Sequence, residues 1–589
     1  MKRKDINPKY FWKTEDLYVD STAWKKDCDL LEKSCDFSKY KGKLNDKKML
    51  KECFARQDEL SRLLEKVYVY ASMLRDQDTS NADNDALVSK AQSVYVKLNT
   101  VTSFITPELT SLDEEYIKNL ISDPEFSDYD YVLKQILDMK AHVLSAESEE
   151  ILALGGEVYS SFRDVFTKLD NADLPMGTVK DKDGNKIKLS HGMYSVCMQS
   201  PERELRRKSF KAYYKSYVSL INTITSTYYG SVKKDVFISR ARKYKGCLEM
   251  ALAGEDVSPE VYQNLLTSVH KALPYLHEYI AEKKKILGFD KMHMYDMAVP
   301  IAENVDLQLE YDDAYKLVEE GLAPLGKEYV ELLHKAYVDR WIDVYENDGK
   351  RSGAYSTGVY DAHPYVLLNY QKTTHDVFTI AHEMGHSIHT YFSNKTQPYA
   401  KADYRIFVAE VASTVNEVLL LKHVLKTATD KKLKKYLLSY FLEMIRTTCF
   451  RQTQFAEFEA FAHKSVEKGK PLTKEYLCKE YLKLNKKYYG KSIISDKEIS
   501  YEWARIPHFY NAFYVYKYAT GIISAIKIAD RILTEGETAV KDYFAFLSSG
   551  GSNDPVSLLK IAGVDLTDVS VFDDAMKVFA DTLEEFKNV

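Results

Sequence analysis

The pentapeptide His382-Glu383-Met384-Gly385-His386 carries the densest chemistry in the chain. On a helix, residues four apart stack one above the other, so both imidazoles can face one ion while Glu383, one position round, reaches the ion's open side. Two histidines in this register, with a carboxylate between them, make a zinc site with its own base. Catalytic zinc keeps three protein ligands and one open position, where a bound water falls to a pKa of about 7 and a neighbouring carboxylate can take its proton. Glu383 is placed for that transfer. The plain alternative, two unrelated histidines on an ordinary helix, is opposed by the flanks. Thr373 and Thr374 are N-cap candidates, Asp376 suits a first turn, and Val377, Ala381, Met384 and Ile388 recur at three-and-four spacing as an apolar face.

A third ligand is needed. The stretch from Ile406 to Leu425 reads as a helix that is apolar nearly all round, with Phe407, Val408, Val411, Val415, Val418 and the run Leu419 to Leu421. Its exception is a narrow polar stripe of Glu410, Ser413, Thr414 and Glu417 at helical spacing. A carboxylate in such surroundings is expensive to bury unless it binds metal or is paired. Glu410 is therefore the expected ligand, with Glu417 as a hydrogen-bonding partner and the next candidate. His389 lies three residues beyond His386, but three successive turns of one straight helix do not converge on a tetrahedral ion. It is expected to pack in the core or support the ligands from outside. The metzincin pattern fails, because Phe392 occupies the position of its third histidine.

The elements around these helices follow from local pattern. Short strands are expected from Trp341 to Tyr345, at Gly353 to Ser356 and at Tyr365 to Tyr370, broken by the turn Glu346-Asn347-Asp348-Gly349. They predict a small antiparallel sheet beside the metal-binding helix, either an ordinary meander or an edge for an extended peptide to pair with. Near the C-terminus, Trp503 to Gly521 is the other dense stretch. A helix starting near Pro507 would put Tyr510, Tyr514 and Tyr518 on one stripe and Phe509, Phe513 and Tyr516 on the next. The tyrosines either pack as core or donate hydrogen bonds to an oxyanion. His508, at the positive end of that helix, would be biased towards its neutral form.

The chain has 589 residues, with 23 Gly, 14 Pro and 29% charged residues, and no Pro/Gly/Ser-rich linker, which fits long helices packed on one another. Amphipathic periodicity predicts helices over 49–74, 85–104 and 133–143, and Ser258-Pro259 is a helix start. Alternation around Asp183-Gly184 predicts a hairpin over Thr178 to Leu189, taken as the junction between an N-terminal helical lobe, 1–190, and a catalytic domain, 191–589. A net charge of -5 excludes the basic footprint of a nucleic-acid binder. Seven scattered cysteines without a CxxC pair point to a reducing compartment. The N-terminus has no apolar h-region and no run is long enough to span a membrane, so a cytoplasmic protein is expected. Nothing in the sequence fixes an oligomeric state.

Three stretches together, HEMGH at 382–386, FVAEVASTVNE at 407–417 and WARIPHFYNAFYVYKYATG at 503–521, resemble the oligoendopeptidase F group of the thimet oligopeptidase-like zinc metallopeptidases. The likeness extends to the Trp12-to-Tyr18 opening and to Gly353-Ala354-Tyr355-Ser356, and so covers most of the chain. The resemblance implies one zinc per chain on His382, His386 and Glu410, with Glu383 as general base and proton shuttle. It implies transition-state help from His508 and downstream tyrosines, for which Tyr514 and Tyr518 are chosen, with Tyr510 and Tyr516 in reserve. It also implies a mostly helical, two-lobed body around a deep channel that admits oligopeptide substrates and excludes folded proteins. The expected activity is internal cleavage of short unfolded peptides. A zinc exopeptidase and a non-catalytic peptide-binding scaffold are the alternatives, the first requiring a terminus-binding charge cluster and the second predicting no bound metal.

Overall fold

The computed structural model describes residues 2–302, 305 and 307–589. It is 72% helical, and its sheets have two or three strands each, which makes the fold mostly α. The helices form where periodicity and caps coincide. Lys47–Gln77 starts on Asp46, whose side chain accepts from the amides of Lys48 and Met49, and Ala82–Thr102 starts on Asn81 in the same way. Pro259–Ile286 has the Ser258 cap and Pro259 in its first turn. The hairpin is present as Thr178–Lys180 paired antiparallel with Lys186–Lys188, turning through Gly184 at φ 85°.

The chain groups into two compact units, each assembled from three stretches: 1–143, 306–426 and 528–564 in the first; 144–305, 427–527 and 565–589 in the second. The border expected at residue 190 is not among these limits, because 144–190 groups with later helices. In the first unit the N-terminal helices and a small sheet share one core, in which Trp24, Leu31, Leu50 and Val67 are buried together with Tyr365 and Leu367. The ring of Trp12 lies 6.4 Å from Tyr355 and 6.5 Å from Tyr365.

That sheet consists of β1 (Ile342–Asp343), β2 (Tyr355–Thr357) and β3 (Tyr365–Leu367), in the order β1-β3-β2. It is mixed, not antiparallel throughout. β2 pairs antiparallel with β3, Ser356 opposite Val366, while β1 pairs parallel with it, Ile342 opposite Val366. The chain reverses twice between β1 and β3, so these two run the same way. β2 is left as an edge strand beside the helix that follows.

Candidate active site

Helix α1 spans Thr374–Thr396 and α2 spans Ile406–Thr427. The Thr373 side chain accepts from the Asp376 amide and the Asp376 carboxylate accepts from the Thr373 amide, a reciprocal box that fixes the start of α1. The two helices meet at Gly385. A Cβ there would lie 2.5 Å from the Ser413 Cα and 2.7 Å from the Ala412 carbonyl oxygen, so only glycine permits this approach. The contact is locked one turn away, where the buried Asn416 amide donates to the Ala381 carbonyl (3.0 Å) and accepts from the Tyr329 hydroxyl (2.8 Å).

This approach brings Glu410 to the two histidines. His382 Nε2 and His386 Nε2 are 3.2 Å apart, and Glu410 Oε2 lies 3.5 Å from the first and 3.7 Å from the second. A tetrahedral zinc about 2.0–2.2 Å from each donor separates its ligands by roughly 3.3–3.5 Å, so the triangle has the right size. Two imidazoles and one carboxylate are also the right donor chemistry for catalytic zinc. The three donors fit the ion. The side chains of His382 and Glu410 are 26% and 38% exposed, so the triangle is reachable from solvent. The far nitrogen of His382, Nδ1, is bound to the Glu417 carboxylate, and the His386 ring donates to the Ala409 carbonyl, so both rings are oriented from behind.

Glu383 is buried, and burial raises its pKa to about 7, with the negative charges of Glu410 and Glu417 adding to the rise against the opposing effects of His382 and the Ser356 amide. That amide belongs to edge strand β2, and Ser356 Oγ also lies 2.8 Å from Ser387 Oγ. Burial alone would lower the pKa of His382, but Glu410, Glu417 and Glu383 outweigh it and push it up to about 10. His386 moves the other way, down to about 4, through burial and the positive His382 beside it. His389 is buried, stacked at 3.7 Å on Tyr404, with no hydrogen-bond partner on Nδ1 among the described residues. It is a packing residue.

The stretch after Trp503 departs from its expected shape. A 3₁₀ turn, Pro507–Tyr510, ends at Asn511; Phe513 takes the left-handed φ of 56°; and helix α3, Tyr516–Glu535, begins beyond it. Tyr510, Tyr514 and Tyr518 thus share no helical stripe. Tyr510 is buried and stacked on Phe166 (4.4 Å), and Tyr516 is buried against Tyr262 (5.4 Å), so both reserves are core. His508, Tyr514 and Tyr518 come together instead: the His508 ring lies 5.9 Å from each tyrosine ring, and the Tyr518 hydroxyl is 3.4 Å from His508 Nε2. Burial holds the pKa of His508 below its usual value, which favours the neutral ring.

Sequence reasoning missed the support under this loop. Phe513 packs on His463 (4.7 Å), whose Nε2 is 3.2 Å from Asp235, and the buried Glu459 carboxyl lies against the Phe513 amide. No local pattern marks these residues, which come from separate stretches. Asn416 and Tyr329 were missed as well, although Asn416 continues the polar stripe of α2 by one helical step beyond Ser413.

The chain is similar to known proteins along its length. Residues 196–578 match the model of peptidase family M3, and residues 108–175 match that of oligopeptidase F. The chain is similar to oligopeptidase PepF of Bacillus subtilis, at 41% identity over 100% of this chain and 88% of that protein. A solved structure from Chlamydophila abortus is 37% identical and superimposes with a TM-score of 0.94 over 100% of this chain and 99% of the other. Oligoendopeptidase-F from Enterococcus faecium, 35% identical, gives a TM-score of 0.73 over 96% and 98%.

Proposed function

The chain belongs to peptidase family M3 and is an oligopeptidase, and from that premise we propose that it is a zinc endopeptidase in which His382, His386 and Glu410 hold the metal and Glu383 is the general base. The observation that carries this reading is the convergence of those three side chains, whose donor atoms lie within 4.8 Å of one another. Bound there, zinc supplies a Lewis acid that polarises a peptide carbonyl and makes water more acidic. Glu383, with a pKa near neutrality, takes a proton from the attacking water and passes it to the departing amine. Glu417 and the Ala409 carbonyl hold the two imidazoles in the tautomers that present Nε2. Edge strand β2 offers backbone groups to an extended peptide, which reads no side-chain identity. His508, Tyr514 and Tyr518 are assigned hydrogen-bond donation to the oxyanion that forms on the scissile carbonyl. The seven cysteines are free, in keeping with work in a reducing compartment.

The test is mass spectrometry of products from peptides of graded length, with and without a zinc chelator. Internal cuts that disappear with chelator are expected, and loss of terminal residues alone would replace this reading by an exopeptidase. Glu410→Ala is expected to lose bound zinc. If its zinc remains stoichiometric, Glu410 is not a ligand.

A further inference from the structure

The second unit has an open pocket of about 320 Å³ whose wall carries three guanidiniums, Arg446, Arg451 and Arg505, and two carboxylates, Glu443 and Glu502. Glu443 is fully engaged: it accepts from Arg446 Nε (2.9 Å) and Nη2 (2.6 Å), from the Tyr279 hydroxyl and from Lys283 Nζ (3.1 Å). Glu502 is shared. Its Oε1 accepts from Nη2 of both Arg451 and Arg505, and its Oε2 from the Tyr481 hydroxyl. One carboxylate thus faces two guanidiniums, which do not lose their protons in proteins. Burial lowers the pKa of the fully buried Lys283 ammonium; even counted as neutral, it leaves the wall with one more positive charge than negative.

An excess positive charge attracts a counter-ion, and the Arg451 and Arg505 side chains, 27% and 21% exposed, are accessible to one. The rest of the lining is mixed: the thioethers of Met198, Met294 and Met297 and the ring of Phe210 form an adaptable apolar side, beside the polar groups of Ser195, Gln199 and Thr447. Two guanidiniums on one side and thioethers on the other match a monoanion with an apolar body. A single excess charge suits a carboxylate better than a doubly charged phosphate.

We propose that this pocket binds a small carboxylate with an apolar body, the carboxylate seated on Arg451 and Arg505 and the body against the methionines. None of the proposed metal ligands lines the pocket, nor does Glu383, so the site stands apart from the peptidase reading.

Isothermal titration of the full-length protein with N-acetyl-leucine, N-acetyl-leucinamide and inorganic phosphate tests this. The acid is expected to bind roughly tenfold or more tightly than the amide, which has the same body without the charge. Arg451→Gln is expected to remove that difference. Hydrogen exchange on the wild type supplies a reading that needs no variant: the acid is expected to protect amides in 194–199 and 497–505. Equal binding of acid and amide, phosphate binding as tight as the acid, or acid binding with neither segment protected would each overturn the proposal. So would acid binding that survives Arg451→Gln in a folded protein.

Discussion

The donors on His382, His386 and Glu410 sit on two regular helices in backbone contact at Gly385, whereas His508, Tyr514 and Tyr518 are spread over a 3₁₀ turn, a left-handed break at Phe513 and the first turn of another helix. In the first region one interhelical distance and three rotamers set the geometry, and polar contacts through Asn416, Glu417 and the Ala409 carbonyl leave those rotamers little freedom. In the second, a phenylalanine is held in a conformation that costs of order 1–3 kcal/mol, retained because its ring is buried on His463 and Tyr262. Metal ligation tolerates errors of tenths of an ångström, which regular helices supply. Hydrogen-bond donors that meet a mobile peptide can be carried by irregular backbone. On the proposed function, the difference separates a region suited to a fixed ion from one suited to a variable guest.

The sharpest way to break that division is to disable chemistry in one region without disturbing the other. Glu383→Gln is expected to lower kcat by about 10²–10⁴-fold while zinc content stays stoichiometric, because Glu383 is not among the three ligands. Substantial turnover in this variant would remove Glu383 from its role as base. Tyr514→Phe and Tyr518→Phe delete one hydroxyl each, and the effective donor among them is expected to cost about 10²–10³-fold in kcat with zinc affinity unchanged. A loss of zinc in either tyrosine variant would show that the two regions are not independent.

Smaller effects sharpen the metal side. Glu417→Gln removes the charge behind His382 and is expected to weaken zinc binding about 10–100-fold, measured against a competing chelator. The same titration has a predictable pH dependence. Below about pH 10 the free site keeps a proton on His382, and zinc needs that ring neutral, so binding expels the proton. Affinity is therefore expected to rise about tenfold per pH unit from neutrality upward. His386, near 4, and Glu410, held below its usual range by its hydrogen bond to His382, are already deprotonated there and add no slope. A flat profile would place the proton elsewhere.

These two regions were not equally legible in the sequence. The two helices that carry the proposed ligands follow from strong local signals: a cap at Thr373, an apolar face at three-and-four spacing, and a polar stripe that isolates Glu410 and Glu417 on an otherwise apolar helix. Each signal survives folding because tertiary packing agrees with it. The loop at 507–518 departs from a helix because only the spacing of its aromatic residues suggests one, and tertiary contacts override that pattern. Tyr510 is drawn to Phe166 and Phe513 to His463, and no single helix satisfies the two. The parallel pairing of β1 was equally out of reach, since register between strands of two or three residues is set by long-range packing rather than by alternation.

The buried Glu459 gives the smallest and most discriminating test of how the second region is held. Its carboxyl lies against the Phe513 amide without a close hydrogen bond, and burial, with Asp235 adding to it, pushes its pKa up to about 8 against the opposing effects of His463 and that amide. A carboxyl whose pKa is higher folded than unfolded stabilises the fold while protonated, so its contribution is full below about pH 4.5 and declines as pH rises towards 8. Glu459→Gln preserves the shape and cannot ionise. The variant is expected to lose less Tm than the wild type between pH 5 and pH 8, with kcat changed no more than about twofold, whereas Glu459→Leu, which offers the amide no acceptor, is expected to lower kcat further while zinc affinity stays constant. Identical pH dependence of Tm in the wild type and Glu459→Gln would mean that this carboxyl titrates normally, and the anchoring of the loop would then rest on the Phe513 ring alone.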